Sequence, residues 1–582
     1  MRKTKIICTI GPASEERETI SQLADKGMNV ARLNFSHGEH SEHKKRIDNI
    51  RGVAAEMDKA LAIMLDTKGP EIRTGQLLNK KANLQTGQKF VLTTRPVPGD
   101  EREVWVSYPN LPAEVGPGAS ILLADGLINL LVQETTSTDI ICQVINGGEL
   151  GEKKGVNVPG VRINMPFLSE RDIADINFGI DEELDFIAAS FVRNAQDVLE
   201  IKRILEARDA RIDIIAKIES QGGVDNLEDI IKVADGVMVA RGDLGVEIPA
   251  EEVPLVQKKI IGQCNLAGKV VIIATQMLDS MINNPRPTRA EVSDVANAIF
   301  DGADAIMLSG ESAAGKYPVE AVETMARVAK RAEEVLAYQE ILKAKRLQGT
   351  SSVTDAISYA TCATAASLGI SSIITATATG TTARMVSKYR PQADILAVTT
   401  DPKVMRKLVL VWGVNPVLTR PTHGTDELFD QALERCLEIG YINKGDMVVL
   451  TAGSPPGFAG STNLLKVHVV GDVLLQGMGI GSKAVSGKVR IILNDTDLPK
   501  IQPEDILVCR SAYPALVPYL KQAKALIAEE GGLTSDAAIM GLNTGLQVIV
   551  GAKDATRILE DDMLITLDTV HGRIYSGLAK VL

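Results

Sequence analysis

Short apolar runs alternate with longer amphipathic segments through the first two-thirds of the chain. The runs are rich in Val, Ile and Ala, as in parallel strands that are covered on both faces. They predict eight strands, at residues 5–10, 28–35, 61–67, 184–191, 213–219, 236–240, 270–275 and 303–308. Helical patterns follow nearly all of them, for instance at 193–207 and 253–267. Eight strand–helix units favour an α/β fold of the (β/α)8 TIM-barrel type over a doubly wound open sheet, which is the alternative.

The alternation is interrupted between the third strand and its helix. Residues 70–167 lose the helical period and show short alternating runs, such as 89–94 and 120–123, broken by Gly, Pro and Asn. This pattern predicts a small β-barrel domain inserted in a βα loop, so that residues 1–69 and 168–342 form the main barrel. Because βα loops surround the site of such a barrel, the insertion is placed to act as a lid.

Two more α/β regions are predicted after the barrel. A polar segment at 343–352 leads into residues 353–470, with strands near 372–377, 394–398, 446–451 and 466–470. The tail, residues 471–582, has a further compact pattern that ends in short alternating strands. Several domains are expected, because a chain of 582 residues is too long for one hydrophobic core.

Composition and charge exclude several classes of protein. A chain that is 45% hydrophobic and 24% charged is ordinary for a soluble globular protein. The net charge of −11 and the 3% of aromatic residues disfavour a nucleic-acid-binding protein. The six cysteines form no CxxC pair, which indicates buried free thiols in a reducing compartment. No apolar stretch suffices for a bilayer span or a signal-peptide core, so the expected location is the cytoplasm, with no membrane partner.

Polar side chains mark the ends of the second and third strands. Arg32, Asn34 and Ser36 are two residues apart, so they face the same way along a strand. A guanidinium beside two neutral oxygen ligands suits an oxyanion and a cation together, although a polar strand end that fills the barrel layer is the alternative. Asp66 and Thr67 end the third strand, where either site groups or ordinary turn chemistry are expected.

A lysine within the fifth predicted strand gives a sharper signal. Lys217 lies in an apolar run and cannot be buried without a partner. Glu219, two residues on, points to the same face, so an isolated buried ion pair is one interpretation. Asp243 adds a carboxylate at the end of the next strand. Two carboxylates that converge on one mouth are what a hard divalent cation such as Mg²⁺ needs, with water and substrate oxygens completing its shell.

Small groups around the other strand ends extend this mouth. The amides near Arg241-Gly242-Asp243 could receive a substrate carboxylate if a helix begins there. The segments 274–277 and 309–312 add small polar side chains. Neither a GxxxxGK[ST] loop nor a GxGxxG fingerprint occurs in a strand–turn–helix setting, so a nucleotide would need another scaffold.

These segments, in this order, resemble the pyruvate kinase family from residue 3 to about residue 470. The most specific strings are 31–38, 65–74, 216–219, 238–248 and 274–280, and the strings 287–291 and 293–297 extend the match. The resemblance implies an enzyme that transfers the phosphoryl group of phosphoenolpyruvate to ADP, giving pyruvate and ATP. It also implies Mg²⁺ or Mn²⁺ and K⁺ as cofactors, and a homotetramer.

The resemblance assigns a role to each matching residue. Arg32 would bind the phosphoryl group, and Lys217 would neutralise its charge during transfer. Glu219 and Asp243 would hold the divalent metal. The ligands of the monovalent cation would be Asn34, Ser36, Asp66 and the carbonyl of Thr67. The substrate would contact Arg32, Lys217, Ala240, Arg241, Gly242, Asp243 and Thr275.

The remaining roles concern the nucleotide, the proton and K⁺. His37 and Arg73 would face the nucleotide, with Lys154 reaching over from the lid. The groups near the enolate carbon would be Thr275, Ser309 and Glu311, and the resemblance leaves open which of them delivers the proton. Glu71 stands where the family has Glu in potassium-dependent members and Lys in independent ones, so activation by K⁺ is expected.

Residues 353–470 resemble the effector domain of the same family. A Thr-rich segment before a predicted helix looks like its phosphate-binding loop, with hydroxyls and amides at the helix start. The residues concerned are Thr377, Thr379, Gly380, Thr381 and Thr382, and the loop 453–457 would lie nearby. A sugar phosphate or a nucleoside monophosphate is the expected activator. A simple Thr-rich helix cap is the alternative.

The tail resembles a different family. Residues 529–539 look like the swivelling phosphohistidine domain of synthases and dikinases that use phosphoenolpyruvate, an extension that some bacterial pyruvate kinases carry. Those carriers place His where this chain has Asp536, and the only His of the tail, His571, lies outside the motif. The domain is therefore expected to be structural or regulatory.

Three other functions compete with the kinase. A metal-dependent aldolase or lyase acting on pyruvate or phosphoenolpyruvate would share the barrel and the metal, but would not need the lid or the cluster of Arg32, Asn34 and Ser36. A phosphocarrier or sensor would need an imidazole in place of Asp536. A catalytically dead, effector-binding scaffold is disfavoured by the intact Lys217.

The absence of an imidazole from the tail motif predicts that no phosphoryl group is carried there. After incubation with labelled phosphoenolpyruvate, stable label is expected to be absent from residues 471–582. Proteolysis of the labelled protein, followed by counting of the separated fragments, makes the measurement. Label retained on the tail would contradict this interpretation.

Overall fold

A computed structural model describes residues 1–347, 352–421, 424–453, 462–471 and 473–579. The chain divides into two compact units. The first contains Met1–Ile341 together with Asp401–Pro416, and the second contains Leu342–Thr400 together with Val417–Leu582. No helix among the described residues is both long and apolar enough to cross a membrane.

Eight parallel strands close into a barrel in the first unit. Each strand pairs with its neighbours in chain order and the last pairs with the first, where Lys5 lies opposite Ala305. The strands are Lys5–Thr9, Val30–Asn34, Ala62–Asp66, Phe186–Ala189, Asp213–Ile218, Gly236–Ala240, Val270–Ala274 and Ala305–Leu308. The predicted (β/α)8 barrel is confirmed, and the alternative open sheet is excluded. Nearly every strand residue is buried, as the continuous Val, Ile and Ala runs require.

Helices surround the barrel and bury their apolar faces on the strands. Several begin at a side-chain cap, such as Asn194, which accepts hydrogen bonds from the amides of Gln196 and Asp197. The helices are Arg17–Lys26, His40–Glu56, Glu170–Asp181, Ala195–Ala207, Gln221–Asp225, Leu227–Val233, Arg241–Glu247, Val253–Ala267, Arg289–Asp301, Gly310–Ala313 and Pro318–Glu334, with a 3-10 turn at Asp279–Ile282. A further helix, Tyr338–Leu347, includes the end of the first unit and the start of the second.

The interrupting segment folds around a core of its own, which includes Phe90, Leu92 and Leu130. The expected β domain is present as a six-stranded sheet and a two-stranded ribbon that share this core. The ribbon pairs Lys81–Leu84 with Gly148–Gly151. The sheet contains, in spatial order, Val156–Asn157, Ser120–Leu123, Ile128–Thr135, Asp139–Asn146, Lys89–Thr93 and Glu103–Trp105, and a short helix spans Leu111–Glu114.

A segment from much later in the chain packs on the amino-terminal ends of the barrel strands. Its helix, Pro402–Leu408, carries Arg406 and Lys407. Arg406 pairs with the buried carboxylate of Asp185 at 2.7 Å, and Lys407 pairs with Asp213 at 2.5 Å. These carboxylates stand immediately before or at the start of the fourth and fifth strands. The ion pairs explain why Asp401–Pro416 groups with the barrel.

The second unit contains two sheets. The first sheet has the order Val414–Leu418, Asp394–Thr399, Ser372–Ala376, Met447–Gly453 and Thr462–Val469, and its last strand is antiparallel. Its helices are Val353–Ser367, Thr381–Lys388 and Thr425–Glu438. The sequence pattern predicted four of these strands and missed Val414–Leu418, whose Pro416 cannot donate to a ladder and suits a sheet edge.

The tail forms an eight-stranded sheet with a parallel centre. Its spatial order is Val473–Gln476, Arg573–Ser576, Leu564–Asp568, Ala484–Ile492, Ile506–Cys509, Ala525–Ala528, Gln547–Val550 and Met478–Ile480. The helices are Val517–Leu520, Asp536–Thr544 and Ala555–Ile558, with 3-10 turns at Asp495–Lys500 and Pro514–Leu516. The predicted alternating strands at the end of the chain are the hairpin of Leu564–Asp568 and Arg573–Ser576.

All six cysteines are buried free thiols, as the sequence predicted. They are Cys8, Cys142, Cys264, Cys362, Cys436 and Cys509. Burial raises the pKa of every one of these thiols above its ordinary value. In the folded chain they therefore remain protonated and unreactive.

Candidate active site

A buried carboxylate links two cations at the mouth of the barrel. Asp66, which is 1% exposed, accepts a hydrogen bond from Nε of Arg32 at 2.6 Å and from Nζ of Lys217 at 3.1 Å. Burial alone would raise the pKa of Asp66, but the charges of Arg32 and Lys217 outweigh it and lower the pKa. The three groups come from the second, third and fifth strands, so closure of the barrel brings them together.

The hydroxyl of Ser190 completes this network and was missed by the sequence reasoning. Its Oγ lies 2.7 Å from Nζ of Lys217 and 2.7 Å from the carbonyl oxygen of Thr67, to which it donates. Ser190 directly follows the fourth strand, which ends at Ala189. A polar residue at that position is the signal that could have identified it, since groups at strand ends line the mouth.

Lys217 is charged because it has two acidic partners. Its Nζ lies 3.0 Å from a carboxylate oxygen of Glu219, in addition to its contact with Asp66. Burial would lower the pKa of Lys217, but Asp66 and Glu219 together raise it above its ordinary value. The isolated Lys–Glu pair considered from the sequence is therefore part of a larger network.

Two carboxylates face the same cleft, as the sequence predicted. Glu219 is buried and accepts the amide of Phe191 at 2.6 Å, and Asp243 is half-buried on the short helix Arg241–Glu247. Burial raises the pKa of Glu219 to about 7, although Lys217 acts in the opposite direction. Burial also raises the pKa of Asp243. Positive charge near these carboxylates is thus insufficient to offset their desolvation.

This donor set fits a divalent cation. Oxygen ligands from one or two carboxylates are what Mg²⁺ uses when water and substrate oxygens supply the rest of its shell. Across the described ranges, no group of three or more His, Cys, Asp or Glu side chains is arranged to hold a metal by itself. A bound cation would supply the positive charge that offsets the desolvation of Glu219 and Asp243.

The residues expected around K⁺ lie close to the same network. Asn34, Ser36 and Asp66 line a cleft of about 160 Å³, together with Glu71. The side-chain oxygen of Asn34 accepts the amide of Ser36 at 3.1 Å, which shapes the turn after the second strand. Thr67 is buried beside this cleft. Its carbonyl oxygen has Ser190 as one partner and retains a second lone pair.

The segment after the sixth strand contacts Thr275. The strand ends at Ala240, and a helix does begin at Arg241, as the expected carboxylate site required. The amide of Gly242 donates to Oγ1 of Thr275 at 2.8 Å, and the guanidinium of Arg241 donates to the Thr275 carbonyl at 2.9 Å. Arg241 also pairs with Asp294 at 2.7 Å. These bonds hold Thr275 at a φ of 68°, which is unusual for a β-branched residue.

Glu311 supports the backbone of two neighbouring segments. Its carboxylate is 2% exposed and accepts the amides of Leu278 at 3.0 Å and Ser309 at 2.7 Å. Burial raises the pKa of Glu311, and the amides act in the opposite direction. Both oxygens thus hold the loops that follow the seventh and eighth strands, including Ser309.

The residues expected at the nucleotide line a larger cavity. A cavity of about 1030 Å³ is lined by His37, Arg73 and Lys154, and also by Asp243. His37 and Lys154 are exposed, and Arg73 donates to Glu71 at 2.7 Å and to the Lys153 carbonyl at 3.0 Å. Barrel and lid residues therefore share one cavity with Asp243, one of the two carboxylates of the expected metal site.

Comparison with known proteins identifies the family. A model of the pyruvate kinase barrel domain matches residues 1–322, which is more than half of the chain, and a model of the pyruvate kinase alpha/beta domain matches 355–468. The chain belongs to the pyruvate kinase family. The resemblance inferred from the sequence is confirmed, and membership makes the protein a phosphotransferase.

Full-length relatives and a solved structure agree with this assignment. The pyruvate kinases of Geobacillus stearothermophilus and Bacillus licheniformis are each 53% identical, over 585 and 586 residues, and the matches cover 100% of both chains. The crystal structure of a pyruvate kinase from Cryptosporidium parvum is 42% identical with a TM-score of 0.76. The match covers 80% of this chain and 96% of the chain in the crystal structure. Pyruvate kinases generally use Mg²⁺ and K⁺.

In the second unit, the structure forms the helix start that the effector expectation required. Gly380, at a φ of 85°, precedes the helix that begins at Thr381. The Gly380 amide donates to Oγ1 of Thr377 at 2.9 Å, and the hydroxyls of Thr379 and Thr381 lie 2.9 Å apart. The hydroxyl of Thr382 contacts that of Thr462 at 2.8 Å. Of the loop 453–457, residues 454–457 lie outside the described residues.

The tail of this pyruvate kinase family member matches a third model, the mobile domain of PEP-utilising enzymes, over residues 501–572. Asp536 is exposed and is the first residue of the helix Asp536–Thr544, which Ser535 caps. His571 lies on a different turn, where Nδ1 is 2.8 Å from the buried carboxylate of Asp568. The fold expected for the tail is confirmed, and its role stays a prediction.

Proposed function

We propose that the barrel mouth transfers the phosphoryl group of phosphoenolpyruvate to ADP, giving pyruvate and ATP. The observation that carries this proposal is the charged Lys217, buried between Asp66 and Glu219 and close to Arg32 through Asp66. Phosphoryl transfer needs alignment and charge stabilisation more than covalent help, and preorganised cations supply both. Membership of the pyruvate kinase family supports the same reaction.

The cations of the protein have separate roles. Arg32 binds oxygens of the phosphoryl group, and Lys217 neutralises the charge that spreads over them during transfer. Because Asp66 holds both side chains, it fixes their spacing before the substrate arrives. Ser190 restrains Lys217 from a second side. The amides that open the helix at Arg241 receive the substrate carboxylate.

The expected metal sites would add further positive charge near the substrate. Glu219 and Asp243 would hold Mg²⁺ or Mn²⁺, which supplies Lewis acidity at the enolate oxygen when bound. Asn34, Ser36, Asp66 and the carbonyl of Thr67 would hold K⁺. Their cluster beside Arg32 supports this assignment, since a cation there adds positive charge where phosphoryl oxygens lie.

Three groups are candidates for the proton that the enolate carbon takes up. Both oxygens of the Glu311 carboxylate hold amides, which supports a role for Glu311 in positioning. Thr275 and Ser309 then remain as candidates to deliver the proton. The hydroxyl of Thr275 accepts the Gly242 amide, which ties it to the segment that receives the substrate carboxylate.

The nucleotide lies in the larger cavity, which is lined by His37 of the barrel and by Arg73 and Lys154 of the lid. Their shared lining of one cavity supports this placement. A lid over the site keeps water from competing with ADP for the phosphoryl group. Assembly into a homotetramer, and activation by a phosphorylated effector at residues 377–382, are further expectations from the family.

Replacement of Lys217 tests the reaction and the role of this lysine together. Pyruvate formation from phosphoenolpyruvate and ADP, with Mg²⁺ and K⁺, is expected to fall by about 100-fold or more in Lys217→Met, because the developing charge loses its cation. A coupled assay of both proteins makes the measurement. Lys232→Met, at an exposed lysine of the barrel, is the control and should keep wild-type turnover. Wild-type turnover in Lys217→Met would refute the proposed role.

Replacement of K⁺ tests the monovalent site. Exchange of K⁺ for tetramethylammonium is expected to lower turnover at least about tenfold, because its methyl groups keep the positive charge from direct contact with the oxygens of Asn34, Ser36 and Asp66. Glu71→Lys should retain activity without K⁺, since an ammonium group would replace the charge. Glu149→Lys, at an exposed lid residue, should stay dependent on K⁺. Equal wild-type activity in both salts would contradict the assignment.

Rates at low phosphoenolpyruvate test the effector loop. A sugar phosphate or a nucleoside monophosphate is expected to raise the wild-type rate, and the double variant Thr379→Ala/Thr381→Ala should lose the response because its hydroxyls no longer bind phosphate. Thr544→Ala, at the end of a tail helix, should respond as the wild type does. A flat response of the wild type to all such compounds would favour the simple helix cap.

A further inference from the structure

The two chain crossings between barrel and lid meet at one buried carboxylate. The chain leaves the third strand through Gly69 and returns through Ser169 into the helix Glu170–Asp181. Asp172, which is 0% exposed, accepts the Gly69 amide at 3.1 Å through Oδ1. Through Oδ2 it accepts the amide of Ser169 at 3.0 Å and its hydroxyl at 2.5 Å. Asp172 therefore joins the outgoing and the returning crossing.

The outgoing crossing also abuts the catalytic network. Gly69 has a φ of 70°, and a Cβ at this position would come within 2.9 Å of the Ser190 Cβ and 3.0 Å of the Ser190 carbonyl oxygen. Only glycine fits such an approach without strain. Ser190 is the hydroxyl partner of Lys217, at 2.7 Å. A displacement of Gly69 would therefore press on, or withdraw support from, the residue that restrains Lys217.

The returning crossing has a second attachment to the barrel. The guanidinium of Arg193, just after the fourth strand, donates to the carbonyls of Ile163 at 3.3 Å and Met165 at 3.0 Å. This attachment holds the return segment independently of the capping box, in which Asp172 is the third helical residue and Ser169 the cap. Loss of the Asp172 carboxylate would therefore free the Gly69 crossing more than the return.

We propose that Asp172 is a positioning residue for phosphoryl transfer, which fixes the lid crossing at Gly69 against Ser190 and so sets the place of Lys217. The proposal rests on the proposed function, in which Lys217 acts on the phosphoryl group and the lid excludes water. Asp172 touches no reacting atom. Its effect reaches the reaction through Gly69 and Ser190.

Misplacement of this crossing has a chemical signature. In the normal reaction, a terminal phosphate oxygen of ADP takes the phosphoryl group. If the lid crossing shifts, a water oxygen can take it instead, which yields inorganic phosphate in place of ATP. In both cases the P–O bond to the enolate breaks, and the enolate gains a proton to give pyruvate. The ratio of pyruvate to ATP formed therefore reports the position of the lid apart from the overall rate.

Asp172→Asn in the full-length protein tests the proposal, because Asn keeps the shape but has only one acceptor oxygen. With that oxygen on the two donors of Ser169, the NH2 group of Asn meets the Gly69 amide, and the bond to Gly69 is lost. We expect kcat to fall by about 10-fold to 100-fold with the KM for phosphoenolpyruvate little changed, as a small misplacement of a catalytic group does. We also expect pyruvate to exceed ATP. Parallel assays of pyruvate, ATP and inorganic phosphate make the measurement.

Two further variants separate positioning from folding. Ser169→Ala leaves the bond from Asp172 to the Gly69 amide in place and should keep a pyruvate-to-ATP ratio of one. Asp497→Asn changes the matching residue of a capping box in the tail and should keep both kcat and the ratio. Lys217→Met, assayed beside them, shows separately whether the proposed function holds.

Two outcomes would overturn the inference. One is an Asp172→Asn protein with wild-type kcat and a ratio of one. The other is a protein that loses only thermal stability, so that its folded fraction transfers phosphoryl groups to ADP with normal kcat and ratio. If Ser169→Ala forms as much pyruvate without ATP as Asp172→Asn does, the bond from the Gly69 amide to Asp172 is not what positions the lid crossing.

Discussion

A charged lysine held out of water is the constraint on which the active site depends. An ammonium group in a buried site costs several kcal/mol of desolvation unless partners offset it. Here Asp66 and Glu219 do so, and Asp66 is shared with Arg32. Removal of any one charge would leave the others unbalanced. The network is thus a single unit that exists only when the second, third and fifth strands are in register.

The barrel supplies that register, because each strand pairs with a neighbour on both sides. Asn34 lies opposite Asp66 in the ladder between the second and third strands, and Lys217 lies opposite Met238 between the fifth and sixth. The polar groups stand at the carboxyl ends, where the apolar layers of the barrel stop. The same strands therefore provide two separate things: their apolar residues form the core of the barrel, and the residues at their carboxyl ends form the charged site.

The sequence predicted the parts of this structure that follow from local pattern. Continuous apolar runs identified all eight barrel strands, and Lys217 was evident because a lysine in such a run demands partners. Contacts between distant segments were less accessible. Ser190 has no distinctive sequence pattern, because its role is the hydrogen bond that its hydroxyl accepts from Lys217, which lies 27 positions away. The strand Val414–Leu418 was missed because it is short and contains Pro416. The two hydrogen bonds that Glu311 accepts, from the amides of Leu278 and Ser309, also could not be predicted from the sequence pattern.

The buried cysteines have a practical consequence. Cys8 and Cys264 lie in the barrel core, Cys142 in the core of the lid, Cys436 in that of the first sheet of the second unit, and Cys509 in that of the tail. Because none is accessible in the folded chain, an alkylating reagent can modify each thiol only when its own region opens. The protein thus carries one or more natural reporters of local unfolding in every region, and mass spectrometry of the alkylated peptides would rank those regions by stability without any engineered label.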